Sequence, residues 1–306
     1  MTYTYEITDE YKKRLGKTLR EVRKEKEMTV EEACVCARTQ EEICSVSQLR
    51  SYESGRVMPD MDILRKLVRG MWMNSVDFLE RVANYDMFHF ERDFEEIWDL
   101  SFLRQFNKAS TLLEKLKTKP YCKRENKQVQ QVLLLCEALF AKNIDADLPK
   151  ANKLLCDAIN ITKPTVLKAS SEVDYKYVST NVLKLNEYRI LKLMALVIGI
   201  HKSYDESSLI LESLEKSLLQ KKVNDKIRDR LLPTVYYNLS DALIDCKNPK
   251  SYEKALLISE TGIKYCRKHD CFKILPYLLF SKGEALFNLG RTEAVVYFKQ
   301  SYDALK

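Results

Sequence analysis

The sequence predicts an all-α protein, and three observations carry that prediction. Leu, Lys and Glu dominate the composition, and these residues lose little side-chain freedom in a helix. The 306 residues include only 7 Gly and 7 Pro, too few for the frequent turns of an all-β fold. Apolar residues recur at helical spacing along most of the chain. We expect a small domain at 1–82, a linker at 83–93 and a helical repeat domain at 94–306.

Five short helices are predicted within 1–82, each from an apolar face at helical spacing. Thr29, Ser47 and Asp60 are expected to cap the second, third and fourth helices, because their side-chain oxygens accept from free backbone N–H groups. Gly55 ends the third helix, and Ser75 begins the fifth. The expected core side chains are Leu15, Leu19, Val22, Val30, Ala33, Cys34, Leu49, Tyr52, Ile63, Leu64, Leu67, Val68, Val76, Phe78 and Leu79.

The third predicted helix contains the segment Leu49-Arg50-Ser51-Tyr52-Glu53-Ser54-Gly55, which is followed by Met58-Pro59. With the helix order and with Leu19, Arg23 and Met28-Thr29, this segment resembles the helix-turn-helix domain of phage repressors and their bacterial relatives. The resemblance implies that the third helix enters the major groove of DNA. The implied roles are base contacts for Ser47, Gln48, Arg50 and Ser51, a phosphate contact for Arg56, and a structural ion pair between Arg23 and Glu53.

Two features of the first domain depart from that family. Val30-Glu31-Glu32 places acid near the start of the second helix, where the family often has Gln to bind a phosphate. The stretch from Ala37 to Ser45 is several residues longer than the usual connection. Residues 1–81 hold 15 basic and 15 acidic side chains, so their net charge does not favour DNA. A domain that kept the fold but lost DNA binding, such as a dimerisation module, is an alternative interpretation.

The rest of the chain contains internal repeats. The segment from Tyr237 to Leu243 is echoed by the segment from Phe280 to Leu286, with Ala242 and Ala285 43 residues apart. Both match the tetratricopeptide pattern, in which a small residue lets the next helix approach closely. Stacked pairs of this kind form a superhelix with a concave face. About five helical hairpins are expected, because weaker copies occur near Phe94–Leu103, Cys136–Phe140 and Tyr188–Ile200.

A repressor-like head followed by such an array resembles the peptide-responsive transcription regulators of Gram-positive bacteria, of the PlcR, Rgg and PrgX type. In that family a signalling peptide binds the concave face, and the array is the usual dimerisation surface. The resemblance implies a homodimer that binds double-stranded DNA at an inverted repeat and is controlled by a short signalling peptide. Asn238 is the best-matched peptide contact, because an amide both donates and accepts hydrogen bonds. The implied peptide-binding residues are Tyr237, Asn238, Asp241, Ser281, Glu284, Gln130 and Asn186.

Several other classes of protein are disfavoured. The most apolar run, Leu191–Ile200, is interrupted by Lys192 and is too short to cross a bilayer, and no export signal opens the chain. Nine scattered Cys indicate a reducing cytoplasm rather than a disulfide framework. The three His are isolated, and Cys34-x-Cys36 lacks a second pair. We therefore expect no metal site, no cofactor and no enzymatic activity.

Two alternatives to a peptide-controlled regulator stay open. One is a tetratricopeptide adaptor that binds another protein without DNA, and the other is a phage-type repressor without a peptide ligand. The exposed Gln48 and Arg50 favour a DNA-reading protein, because an adaptor needs no helix that reads a groove.

Overall fold

The structure is a computed structural model that describes residues 8–35, 41–119, 122 and 126–305. These residues form sixteen α-helices and no β-strand, with isolated bridges between Val35 and Glu42 and between Leu167 and Val173. The all-α prediction is therefore confirmed. The chain divides into two compact units, 1–96 and 97–306. In the described ranges, no helix is both long enough and apolar enough to span a membrane.

Unit 1 contains five helices and most of a sixth. The helices are α1 (Asp9–Glu25), α2 (Val30–Ala33), α3 (Val46–Glu53), α4 (Met61–Gly70), α5 (Ser75–Ala83) and α6 (Tyr85–Phe102). One side of each of the first five contributes to a single core, which includes the fully buried Leu19, Leu49, Leu67 and Phe78. This core contains most of the side chains that the apolar spacing assigned to it.

A side-chain cap lies at the start of each of α1 to α5, and two of the three predicted caps are confirmed. The Thr29 and Asp60 side chains accept from backbone N–H groups of α2 and α4. The Ser47 prediction was wrong, because Ser45 caps α3: its hydroxyl accepts from the Gln48 N–H at 3.2 Å. The Gln48 side chain completes a reciprocal capping box by accepting from the Ser45 N–H at 2.9 Å.

The core prediction for Val76 was also wrong, since this side chain is 63% exposed. Phe78 takes the inward position of α5, and a residue two positions away points about 200° round the helix axis. Cys36 and the first part of the long connection, residues 37–40, lie outside the described residues.

A close approach between α1 and the end of α3 sets the position of α3. A Cβ atom added at Gly16 would lie 2.3 Å from the Tyr52 carbonyl oxygen, so only glycine fits there. Gly55 has a φ of 71°, and a Cβ on it would lie 2.7 Å from the Lys13 Cα. At position 55, glycine is needed both for the left-handed turn and for the close contact with α1.

Most of the stretch predicted as a linker, 83–93, is helical, because α6 begins at Tyr85. Phe90 and Phe94 are buried on one side of this helix. Glu21 of α1 accepts from the Tyr85 hydroxyl at 2.8 Å and lies 3.1 Å from His89 Nε2. Aromatic residues at helical spacing thus continue the helical pattern upstream of Phe94.

Unit 2 is a tetratricopeptide-like array, as the repeats predicted. After α7 (Phe106–Lys117), the helices α8 and α9, α11 and α12, α13 and α14, and α15 and α16 pack as hairpins, and a short α10 packs against α12. Ala138, Ala242 and Ala285 are buried where the paired helices approach each other. The bounds are Lys127–Asn143, Leu148–Thr162, Tyr175–Thr180, Leu185–His201, Tyr204–Leu218, Asp225–Asp245, Pro249–Lys268, Leu275–Asn288 and Ala294–Leu305 for α8 to α16 in order.

The eight cysteines within the described ranges are free thiols. Several lie in the helical core, where a thiol packs as a small apolar group. Burial raises the pKa of Cys44, Cys136 and Cys266 to about 12.

Candidate functional site

The outer side of α3 is open to solvent. Leu49 and Tyr52 point into the core, while Ser47, Gln48 and Arg50 are exposed and Ser51 is partly exposed. The Arg50 side chain is 65% exposed, and its nearest acidic neighbour is Glu31, at 4.0 Å. A short helix with this polarity can present its polar side to the major groove.

The cap of α3 limits what Gln48 can do. Reading an adenine with two hydrogen bonds requires both the oxygen and the nitrogen of a Gln amide. In this structure the Gln48 Oε1 already accepts from the Ser45 N–H, which leaves the Nε2 donor available. Ser47 lies beside the same cap, with its hydroxyl 3.1 Å from the Ser45 hydroxyl. Of these predicted base contacts, Arg50 takes no part in the cap, and its one contact with an acidic side chain is the long one to Glu31.

Arg56 lies just beyond the end of α3. Its side chain is exposed, and its Nε donates to the Ser54 hydroxyl at 3.0 Å. This bond orients the guanidinium next to the helix end and leaves its terminal nitrogens facing solvent. Such a group suits a phosphate contact better than a base contact.

The predicted Arg23–Glu53 pair forms inside unit 1. Arg23 donates two hydrogen bonds to Glu53, at 2.6 and 3.0 Å, and a third to the Met28 carbonyl oxygen at 2.8 Å. The hydrogen bond to Glu53 raises the Arg23 pKa above its ordinary value. The pair joins α1 to the last residue of α3, and its burial suits a structural role.

Unit 2 holds a cavity of about 250 Å³. It is bounded by the end of α6, by the start of α7, by α8, α11 and α13, and by the start of α15. Five aromatic side chains line it: Trp98, Phe102, Phe106, Tyr237 and Tyr277. The Tyr237 and Tyr277 ring centres are 5.6 Å apart, and those of Phe102 and Tyr277 are 6.4 Å apart. An aromatic wall with a few polar groups is typical of ligand pockets.

Two of the predicted peptide contacts, Tyr237 and Asn238, lie in this cavity. Asn238 is 8% exposed, and its amide makes no hydrogen bond to any described side chain. Burial raises the Tyr237 pKa from 10 to about 12. A half-enclosed amide without a partner is suited to bond a peptide backbone through both its donor and its acceptor.

Asp241 and Glu284 lie near Tyr237, since both carboxylates contribute to its raised pKa. Burial, and secondly the charge of Asp245, raises the Asp241 pKa to about 6. Burial also raises the Glu284 pKa, with further contributions from Asp241 and Asp245. These like charges form an acidic surface next to the aromatic cavity.

The other three predicted peptide contacts lie elsewhere. Ser281 is fully buried, and its hydroxyl donates to the Tyr277 carbonyl oxygen at 3.2 Å. Asn186 accepts from Arg189 Nη1 at 3.2 Å through its amide oxygen. Gln130 is exposed near the start of α8, nine residues before Leu139 of the cavity, which is about 13 Å along the helix. None of the three lines the cavity.

Three cations that line the cavity were missed: Arg104, Lys142 and Lys192. The sequence carries a signal for Lys192, because this residue interrupts the most apolar run of the chain. A charged residue in the middle of an apolar helix indicates an internal site as much as an interrupted span. In the described residues no group of acidic, His or Cys side chains is arranged to hold a metal ion.

Comparisons with known proteins support the fold. No protein-family model and no curated protein matches the chain in sequence. The chain is similar to the crystal structure of Bacillus thuringiensis PlcR in complex with the peptide PapR7 and DNA, with a TM-score of 0.60 and 18% identity over 95% of this chain and 92% of that chain. For PlcR in its apo form the TM-score is 0.59, with 18% identity over 96% of this chain and 95% of that chain.

A further similar structure is the apo competence regulator ComR from Streptococcus vestibularis. Its TM-score is 0.49, with 14% identity over 96% of this chain and 92% of that chain. The two PlcR structures show the fold of this chain along nearly its full length: a helix-turn-helix domain followed by tetratricopeptide-like repeats.

Proposed function

We propose that the chain is a cytoplasmic, homodimeric, sequence-specific DNA-binding transcription regulator controlled by a short signalling peptide. The observation that carries the proposal is the presence in one chain of an open polar side on α3 and an aromatic cavity with an unpartnered Asn238 amide. The shared fold adds support, because PlcR was crystallised with both a peptide and DNA. We propose no catalytic role.

In this proposal α3 enters the major groove, with Arg50 at a base edge and Arg56 at a phosphate. Ser47, Gln48 and Ser51 are secondary contacts, because the cap of α3 already engages Gln48 and Ser47 lies beside it. The peptide binds in unit 2 at Tyr237 and Asn238, with Asp241 and Glu284 at the margin of the site. The ligand changes DNA occupancy by favouring one of two dimer arrangements.

Selection of duplex sites from random DNA tests the first half of the proposal. We expect the full-length protein to enrich an inverted repeat, because two heads of a dimer act together. Arg50→Ala should then lower affinity by about 1–3 kcal/mol at one base position and relax the preference there. Arg69→Ala, which removes an exposed cation of α4, is the matched control. Uniform weakening across all sequences would assign Arg50 to the phosphate backbone instead.

Asn238→Ala tests the second half, with peptides encoded next to the gene as the first probes. We expect it to weaken peptide binding by about tenfold, because a buried amide contributes about 1–2 kcal/mol through its hydrogen bonds. Basal DNA affinity should stay the same. Ser281→Ala is the matched control, because the Ser281 hydroxyl bonds the Tyr277 carbonyl oxygen of the same helix and does not line the cavity. An unchanged peptide titration for Asn238→Ala would remove this residue from the site.

A protein-binding adaptor is the second candidate function. Glu31 beside Arg50, and the engagement of Gln48 in the cap of α3, are the observations that favour it, because both reduce the capacity of α3 to bind DNA. Failure to enrich any duplex, at low salt and with peptide present, would favour the adaptor.

A further inference from the structure

The cavity of unit 2 carries positive charge without matching negative charge. Its described walls include Arg104, Lys142 and Lys192, and no Asp or Glu. None of these three cations forms an ion pair with a carboxylate in the described part of the chain. The acidic surface at Asp241 and Glu284 is not part of these walls.

Lys192 is the most enclosed of the three. It lies in the middle of α11 between the buried Leu191 and Leu193. Its ammonium donates to the Thr234 hydroxyl at 3.2 Å and lies 5.8 Å from the centre of the Trp98 ring. Burial, together with the charges of Arg189 and Arg230, lowers the Lys192 pKa to about 8. The ammonium has thus lost water and gained a neutral hydrogen-bond partner and an aromatic ring.

Lys142 and Arg104 border the same space. The Lys142 ammonium donates to Asn143 Oδ1 at 3.2 Å, and burial, with the charge of Arg104, lowers the Lys142 pKa. The charge of Arg104 also reaches the Tyr237 hydroxyl, where it offsets part of the rise in pKa that burial causes. The side chains of Lys142, Arg104 and Tyr237 therefore line one cavity and lie within reach of each other's charge.

Two other partly buried lysines of unit 2, Lys117 and Lys282, are paired with carboxylates. Lys117 lies 2.9 Å from Glu137, and Lys282 lies 2.8 Å from Glu260, although both lysines keep some exposure to solvent. By contrast, none of the three cavity cations lies within ion-pair distance of a described carboxylate. Lys192 also borders a neighbouring cavity, and the acidic residues of that cavity's wall, Asp99, Asp229 and Asp270, form no ion pair with it. An enclosed cation of this kind is stabilised when an anion binds, because the new charge–charge interaction replaces lost hydration.

Building on the proposed peptide-binding function, we infer that the cavity binds a carboxylate of the peptide ligand through Lys192, Lys142 and Arg104. Apolar side chains of the same peptide lie against the aromatic wall. The carboxylate is either the C-terminus of the peptide or an Asp or Glu side chain, since both present the same planar anion. The site thus selects peptides that place an acid next to bulky apolar residues.

The test uses Trp98 as the reporter. The chain has two Trp, and Trp72 is 69% exposed in unit 1, so Trp72→Phe leaves one tryptophan, in the wall of the cavity. The full-length variant is titrated with three N-acetylated tetrapeptides. The first is Ala-Leu-Ala-Phe with a free carboxylate, and the second is the same peptide with a terminal carboxamide. The third is Ala-Leu-Glu-Phe with a terminal carboxamide, so its only carboxylate is a side chain.

We expect at least one carboxylate peptide to bind about tenfold more tightly than the neutral carboxamide, because charge-assisted hydrogen bonds are about twice as strong as neutral ones. The carboxylate peptide that binds more tightly shows whether the cavity binds the C-terminus or an acidic side chain. When Lys192→Met is added, the affinity for the carboxylate peptide should come within about twofold of that for the carboxamide. Arg104→Gln, at an exposed position with little risk to folding, should reduce it in part. Lys221→Met, an exposed lysine outside the cavity, is the matched control and should keep the full advantage.

Equal affinity for all three peptides, or an acid preference that survives Lys192→Met, overturns the inference and leaves the peptide site itself intact. Absence of a saturable fluorescence change with every peptide at millimolar concentration overturns the inference and also counts against the peptide part of the proposed function. The two failures are therefore distinguishable in one experiment.

Discussion

Arg23 on α1 and Glu53 on α3 meet through two hydrogen bonds, from Nε to Oε1 at 2.6 Å and from Nη2 to Oε2 at 3.0 Å. Their side chains are only 9% and 8% exposed. The same guanidinium donates to the Met28 carbonyl oxygen just before α2. One side chain therefore connects α1, the start of α2 and the end of α3, and the orientation of α3 depends on it.

Glu53→Ala should destabilise the protein by about 3 kcal/mol, because it leaves the Arg23 charge buried without a partner. The measurement is urea denaturation followed by circular dichroism. Glu31→Ala is the control, since Glu31 is 65% exposed and its contact with Arg50 is long. The control should change stability by less than about 0.5 kcal/mol. Equal losses for the two variants would contradict a structural role for the buried pair.

Gly16→Ala should weaken both folding and DNA binding, because its Cβ would meet the Tyr52 carbonyl oxygen at 2.3 Å. We expect a loss of stability of about 2–3 kcal/mol from backbone displacement. Gly70→Ala provides a matched control on α4, where the nearest atom to the added Cβ is 3.8 Å away. That change should be neutral or stabilising by up to about 1 kcal/mol, since alanine favours the helix. Thermal melts and DNA titrations of both variants decide the prediction.

Asp241→Asn should stabilise the protein at pH 7. The Asp241 pKa is raised from 3.8 to about 6 by burial and then by Asp245, so the folded state binds a proton more tightly than the unfolded state does. Its contribution to stability is complete below pH 4 and is lost as the pH rises through 6. We expect a gain of about 1–2 kcal/mol at pH 7 that disappears near pH 4.

The control for Asp241→Asn is Asp303→Asn, at an exposed position on α16. Denaturation curves for both variants between pH 4 and pH 8 provide the comparison. A stability gain that stays constant over this range would show that burial of the Asp241 charge is not its cause.

Lys192→Met should make the protein more stable while it weakens binding of a carboxylate peptide. The pKa of this lysine is lowered from 10.5 to about 8, so the unfolded state binds the proton more tightly between these values. Stability of the native protein therefore rises with pH across this window. We expect the variant to gain about 1–2 kcal/mol at pH 7, with the gain shrinking towards pH 10.

Lys221→Met is the control for Lys192→Met in the same melts, because the Lys221 side chain is exposed. A loss of stability in Lys192→Met would mean that its hydrogen bond to Thr234 contributes more than the burial of its charge costs.

The sequence predicted the fold well where signals are local. The caps at Thr29 and Asp60, the turn at Gly55 and the buried small residues Ala242 and Ala285 each depend on a few neighbours along the chain. Ser45 and Ser47 could not be distinguished, because both are serines at plausible distances from the first apolar residue of α3. Gly16 was missed, since its role depends on a carbonyl oxygen that is 36 residues away in sequence.

The site was harder to predict because it depends on tertiary contacts. Tyr237 and Asn238 line the cavity, whereas Ser281, at the equivalent repeat position, is buried against its own helix. A repeat pattern shows which positions of two repeats lie on the same side of their helices. It does not show how deeply the side chain at each position is buried. Lys192, Lys142 and Arg104 come from different helices or their ends, so no motif connects them before the chain folds.

The buried thiols make the interior slow to react. Because burial raises the pKa of Cys44, Cys136 and Cys266, these thiols are almost entirely protonated at pH 7, and only the thiolate attacks alkylating reagents or peroxides. Labelling at these positions therefore has to wait for the surrounding helices to open. Cys44 lies in unit 1, and Cys136 and Cys266 lie in unit 2. The rate at which a reagent labels each thiol therefore reports how often the structure around it opens, separately for each unit.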